Sequence, residues 1–114
     1  MHELSIAQAL VTQIEEASRE NGSGSVIAAR IVVGGLSGVD ADALRFAFPI
    51  ATEGTSLADT RLDIEEDPAI IACNSCGART TPDFPLPLCN ACDSVDVTIE
   101  GGQHLTLPSI EMAQ

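Results

Sequence analysis

The sequence predicts an α+β fold: two helices packed on a small three-stranded sheet, with a four-cysteine module inserted before the last strand. Three observations carry this. Apolar residues recur with helical period near the start of the chain and again after Asp40, which marks two amphipathic helices. The runs Val26–Val33 and Arg61–Glu65 are β-branched or alternating, as half-buried strands are. All four cysteines of the 114-residue chain lie in one paired motif, Cys73-Asn74-Ser75-Cys76, twelve residues, then Cys89-Asn90-Ala91-Cys92.

The elements follow in order. Ser5-Ile6-Ala7-Gln8 has the form of a capping box, with Ser5 as N-cap. Leu4, Ala7, Leu10, Val11, Ile14 and Ala17 then share one helical face. Asn21-Gly22 supplies a stop, so the first helix is expected over about 6–21. In the strand that follows, Ile27, Ala29, Ile31 and Val33 are expected to face inward, with Arg30 outward. Gly34 to Gly38 is a flexible turn, and Asp40 is an N-cap for the second helix. Leu44, Ala47, Phe48 and Ala51 form its stripe, which Pro49 is expected to end or kink. Arg61-Leu62-Asp63-Ile64-Glu65 alternates with Leu62 and Ile64 inward. Val95–Ile99 has the character of a ribbon strand, and Gly101-Gly102 is a break. Leu105–Leu107 with Ile110 forms a last strand, interrupted by Pro108, which suggests an edge position or a bulge. A lone strand after the cysteine module needs the earlier sheet as its partner. The module is therefore inserted, not appended: residues 1–69 plus 100–114 make the α+β domain and 70–99 the metal module.

Two Cys-x-x-Cys knuckles place four thiolates at the corners of a tetrahedron, the arrangement Zn²⁺ favours in closed structural sites. Gly77 and Asp93 follow the two pairs, where a knuckle turns back with positive φ. Four sulfurs also suit iron, as in a rubredoxin-like site, and two disulfides or four free thiols are the bland alternatives. Zn²⁺ coordinated by Cys73, Cys76, Cys89 and Cys92 is the expectation, because nothing in the sequence points to an oxidising compartment.

Composition narrows function further. The net charge is −12, with five arginines and no lysine, which opposes nucleic-acid binding because phosphate contacts need a basic patch. The start of the chain lacks the basic and continuous apolar regions of a signal peptide, and no apolar run reaches the roughly 18 residues of a membrane span. A reducing, cytoplasmic setting is expected, with no membrane and no nucleic-acid partner. Neither Cys-x-x-Cys pair opens a helical pattern, as a redox pair does to lower a thiol pKa. No triad, catalytic carboxylate pair or phosphate loop is present, so no enzyme is expected. A zinc-ribbon adaptor that carries no metal cargo is the competing function.

The opening Met1-His2-Glu3-Leu4-Ser5-Ile6-Ala7, the segments Gly35-Leu36-Ser37-Gly38-Val39, Ala43-Leu44-Arg45-Phe46-Ala47-Phe48 and Glu53-Gly54-Thr55, the paired cysteines and Leu86-Pro87-Leu88-Cys89 resemble the HypA/HybF family of hydrogenase maturation factors. The resemblance covers nearly the whole chain and is weakest after Gly102. It implies a nickel metallochaperone with a nickel domain and a structural zinc domain. Such a protein delivers Ni²⁺ to the large subunit of [NiFe] hydrogenase with a GTPase partner, and in some organisms serves urease. The family's nickel ligands begin at the second residue, here His2, and its zinc ligands map onto the four cysteines. Pro49 and Asp93 depart from the family's usual helix former and glycine, and both bear on local geometry rather than on ligands.

The residues permit the nickel site that the resemblance implies. The α-amine of Met1, the amide nitrogen of His2 and its imidazole chelate one ion in fused rings, and Ni²⁺ accepts nitrogen-rich tetragonal coordination. Glu3 adds an oxygen ligand or holds the site from behind. Asp40 approaches the same site if the second helix starts beside the first, although N-capping is its simpler role. His104, the other histidine, is expected to be an ordinary strand residue. Such a site cannot prefer Ni²⁺ over Cu²⁺ by affinity, so selectivity falls to metal supply and partner proteins.

Overall fold

The computed structural model describes residues 2–22, 24–82 and 86–113. Among these the elements run α1 (Glu3–Glu20), β1 (Val26–Gly34), α2 (Ala41–Thr52), β2 (Arg61–Asp67), β3 (Ile70–Cys73), β4 (Arg79–Thr80), β5 (Val97–Glu100) and β6 (Leu105–Met112). The strands form two three-stranded sheets, ordered β2-β1-β6 and β4-β3-β5. The last strand thus returns to the first sheet, as an inserted module requires. Pro108 sits in β6, an edge strand, where proline is tolerated.

Contacts group the chain into two compact units. One comprises residues 1–31, 40–65 and 106–114; the other comprises 32–39 and 66–105. The second therefore holds the whole cysteine span together with the Gly34–Gly38 turn.

In the first unit, α1 and α2 pack on each other. Ala7, Leu10, Val11 and Ile14 of α1 and Ala41, Leu44, Ala47 and Phe48 of α2 are buried, and Val26, Ala28, Ala29 and Ile31 of β1 join the same core. The aliphatic make-up follows from the scarcity of aromatics, three Phe with no Tyr or Trp. Asp40 caps α2 as expected: its Oδ1 accepts the N–H groups of Asp42 at 3.0 Å and Ala43 at 3.4 Å.

Three local expectations are corrected. Helix α1 begins at Glu3, with His2 as N-cap, and Ser5 is an exposed first-turn residue. The Ile6 N–H reaches the His2 carbonyl at 2.9 Å, and Glu3 in the first turn complements the helix dipole. The helix therefore extends past the capping signal. Pro49 does not end α2, which runs on to Thr52. Only one helical bond is lost, the one Pro49 would have donated to Arg45, and the last turn is closed by the Thr52 hydroxyl donating to the Pro49 carbonyl at 3.3 Å. In β1, Ile27 points to solvent, while Val26 and Ala28 are buried beside Ala29, Ile31 and Val33. The strand buries residues of both parities, which simple alternation does not predict.

In the second unit, Gly34, Gly35 and Leu36 donate their N–H groups to the carbonyls of His104, Asp67 and Gly102 at 2.9, 2.9 and 2.6 Å. Gly102, at φ +68°, lies so close to Ala69 that a Cβ would stand 2.6 Å from its backbone. Only glycine fits here, for both its backbone angle and its lack of bulk.

Candidate metal centres

The cysteine site is built from two equivalent turns. Cys73 ends β3, delivered by an alternating run in which Ala69, Ile71 and Cys73 are all buried. In the first turn the Gly77 N–H bonds the Cys73 carbonyl at 3.2 Å, and the Cys73 N–H bonds the Ala78 carbonyl at 2.8 Å. In the second, the Asp93 N–H bonds the Cys89 carbonyl at 2.8 Å, and the Cys89 N–H bonds the Ser94 carbonyl at 2.9 Å. The two turns thus repeat the same bonds. Gly77 (φ +80°) and Asp93 (φ +62°) both take the left-handed conformation expected of them.

The four sulfurs lie within 4.8 Å of one another. Cys73–Cys92 and Cys76–Cys89 are each 3.6 Å apart, nearly twice the ~2.05 Å of a disulfide, and all four cysteines are free. A tetrahedron with metal–sulfur bonds of ~2.3 Å has edges of roughly 3.8 Å, so the donor set fits one tetrahedral ion of zinc's size and softness. Backbone dipoles favour thiolates here. The N–H groups of Ser75 and Cys76 each point at Cys73 Sγ at 3.3 Å, and that of Ala91 at Cys89 Sγ at 3.3 Å.

The Cys76 N–H, assisted by that of Ser75, lowers the Cys73 thiol to about 6. The Ser94 N–H favours the thiolate of Cys92, yet that thiol is pushed up to about 12, with the neighbouring Cys73 as the main opposing cause. One thiolate forms readily and the last resists. A divalent cation removes that conflict, because a coordinating thiol is deprotonated outright. Around the turns, the Asn74 amide donates to Asp96 Oδ1 at 3.1 Å, Ser75 and Ser94 share a hydroxyl contact at 3.0 Å, and the Asn90 amide donates to the Thr81 carbonyl at 2.8 Å. Strands β3 and β4 and these supports were not foreseen. The apolar run Ala69–Ala72 ahead of Cys73 was the available signal for β3.

At the other candidate site, His2 is exposed and precedes the first turn of α1, and Met1 lies outside the described residues. The Glu3 carboxyl is held below its ordinary range, first by the amino-terminal group, then by its own backbone N–H, and also by that of Asp40. The start of α2 therefore lies beside the start of α1, although the Asp40 side chain is occupied in capping. His104 is exposed and lines a shallow hollow with Leu36, Pro87, Ile99 and Gln103. Among the described residues, only the four cysteines converge as a group of three or more metal-ligating side chains; His2, Glu3, Asp40 and His104 do not. No described helix is long and apolar enough to cross a membrane.

Known proteins match throughout. A family model described as hydrogenase/urease nickel incorporation, metallochaperone, hypA, matches residues 1–112. Hydrogenase maturation factor HypA of Chloroflexus aurantiacus (strain J-10-fl) is 45% identical over 112 residues, covering 97% of this chain and 98% of its own length. The HypA of Chlorobium limicola is 35% identical over 114 residues, covering 100% and 98%. The solution structure of the Ni metallochaperone HypA from Helicobacter pylori superposes with a TM-score of 0.66 at 27% identity, covering 98% of this chain and 97% of that one. From the start of its first helix to its returning edge strand, the chain belongs to the HypA family of nickel metallochaperones for hydrogenase maturation.

Proposed function

We propose that this protein carries Ni(II) at its amino terminus and hands it to the large subunit of [NiFe] hydrogenase, with urease a second recipient where an organism makes it. The observation that carries the reading is the family match over residues 1–112, joined to a histidine exposed at position 2. The ligands are the Met1 amine, the His2 amide nitrogen and imidazole, and Glu3. The three nitrogens belong to two consecutive residues, so the site needs no second element to complete it. Exposure suits a carrier that must release its cargo. The nickel site belongs to residues 1–69 with 100–114, and residues 70–99 hold a structural Zn(II) through Cys73, Cys76, Cys89 and Cys92. Zinc supplies charge neutralisation and cross-linking there, with no open position for chemistry. The protein works in the cytoplasm, where the thiols stay reduced.

The test is complementation of a strain lacking this gene and maturing a [NiFe] hydrogenase. Wild type is expected to restore hydrogenase activity, His2→Ala to fail, and millimolar nickel in the medium to bypass the failure. Full activity with His2→Ala at limiting nickel would sink the carrier role of the terminus.

A GTPase of the maturation pathway is the transfer partner, and its docking surface is proposed around His2 and the exposed side of α1, because cargo must pass directly between proteins. Charge reversals at Glu15, Glu16 or Arg19 are expected to weaken the complex several-fold by slowing encounter, without changing the melting temperature. Pull-downs that ignore these changes and respond to changes in residues 70–99 would place the surface elsewhere.

A further inference from the structure

The outer side of α2 takes no part in either metal site, yet its chemistry is unusual for this chain. Phe46 is 77% exposed and Ile50 52% exposed, one turn apart on one helical face. Phe48, two residues on, is buried in the core, so the helix shows one aromatic to the core and one to water. Pro49 is exposed beside them and makes the strip continuous. Isolated exposed apolar residues are ordinary; a contiguous strip marks an interaction site.

Two further features say what covers it. Exposed acids bracket the strip: Asp42 one turn before Phe46, and Glu53 at the helix end. At 1.5 Å per residue they stand about 16 Å apart along the axis. Arg45 is the one cation on this helix, and it is engaged by Asp42 at 2.6 Å. In addition, Pro49 has no N–H, so the Arg45 carbonyl lacks its helical donor. The strip runs between the exposed Asp42 carboxylate, which Arg45 contacts at Oδ1, and the exposed Glu53 carboxylate.

A second copy of the chain is a poor occupant. A two-fold pairing of α2 would set Asp42 and Glu53 of each copy against each other, in a protein of net charge −12. We propose that the Phe46–Pro49–Ile50 strip docks a partner-protein helix that presents an apolar face with Lys or Arg at both ends, spaced to meet Asp42 and Glu53. The apolar centre supplies affinity, and the acidic ends set orientation and encounter rate. This holds whether or not nickel sits at the terminus.

The experiment replaces Phe46 by a photo-crosslinking phenylalanine analogue in cells that mature hydrogenase, with the adduct mapped to a segment by mass spectrometry. The expected adduct is an amphipathic helix with basic residues at both ends. It should disappear in the Asp42→Lys/Glu53→Lys background. A synthetic peptide of that segment should bind the wild-type protein about 30-fold more tightly than Phe46→Ser, the scale of a hot-spot truncation, and Ile50→Ser should lose as much. Both residues are exposed, so metal content and melting temperature serve as folding controls and are expected to stay unchanged. An adduct with a second copy of this chain, a captured segment without basic ends, capture that survives the charge reversals, or no adduct in cells that mature the enzyme would each overturn the proposal.

Discussion

Stripping zinc from the four-cysteine site is expected to unfold residues 70–99 and leave α1, α2 and the first sheet folded. Within that span Ile71 is the single fully buried aliphatic side chain among the described residues, worth about 1.5–3 kcal/mol. Ordering the backbone costs about 1–2 kcal/mol for every residue fixed. Structural zinc in small modules supplies roughly 10–16 kcal/mol of apparent binding free energy, which is the scale needed. Strand β4 is two residues long, and β5 pairs with β3 over four, so neither strand persists without the knuckles. Amide spectra recorded before and after chelation under reducing conditions are expected to lose dispersion at 70–99 only. Dispersed signals from that span in metal-free protein, or rapid labelling of all four thiols in protein as isolated, would contradict a structural metal.

His2→Ala is expected to weaken Ni(II) binding by more than about 100-fold, beyond the 10–100-fold loss caused by removing a mere outer partner of a ligand. Zinc content should stay at one per chain, because the two sites share no residue. The substitution removes the imidazole and leaves the Met1 amine and Glu3, which cannot close the same fused rings. Protons compete for the same nitrogens, so nickel uptake should release protons and weaken in acid. Calorimetric titration with zinc analysis of the same samples reads both effects. Unchanged nickel affinity would make His104 or the cysteines the next candidates.

What the sequence disclosed was mostly local. Asp40 was legible as a cap because a side-chain oxygen ahead of a helical stripe has one evident use, and it accepts both expected N–H groups. The positive φ at Gly77 and Asp93, the sulfur tetrahedron and the edge position of Pro108 follow from rules that admit few alternatives. The failures come where two local signals compete or where tertiary packing decides. Ser5 carried a capping signal, but the helix could extend three residues further with Glu3 in its favoured place. Pro49 carried a stop signal, but with three residues left the cost was one bond. Ile27 was placed inward by alternation, a rule for strands covered on one side, whereas β1 is buried on both over part of its length. The nickel terminus proposed above rests only on resemblance, since a histidine at position 2 has no spacing partner to announce it.

The central claim is that nickel needs the free amine next to His2, and blocking that amine tests it. Acetylating the Met1 amine of a chain that has no lysine leaves every side chain of the protein in place and removes the amine as a donor. Calorimetric titration of the native and acetylated proteins with Ni(II), at equal zinc content, is expected to give one strong site in the native protein and at least a tenfold weaker one in the acetylated form. Equal stoichiometry and equal affinity in the two would remove the amine from the site and contradict the account.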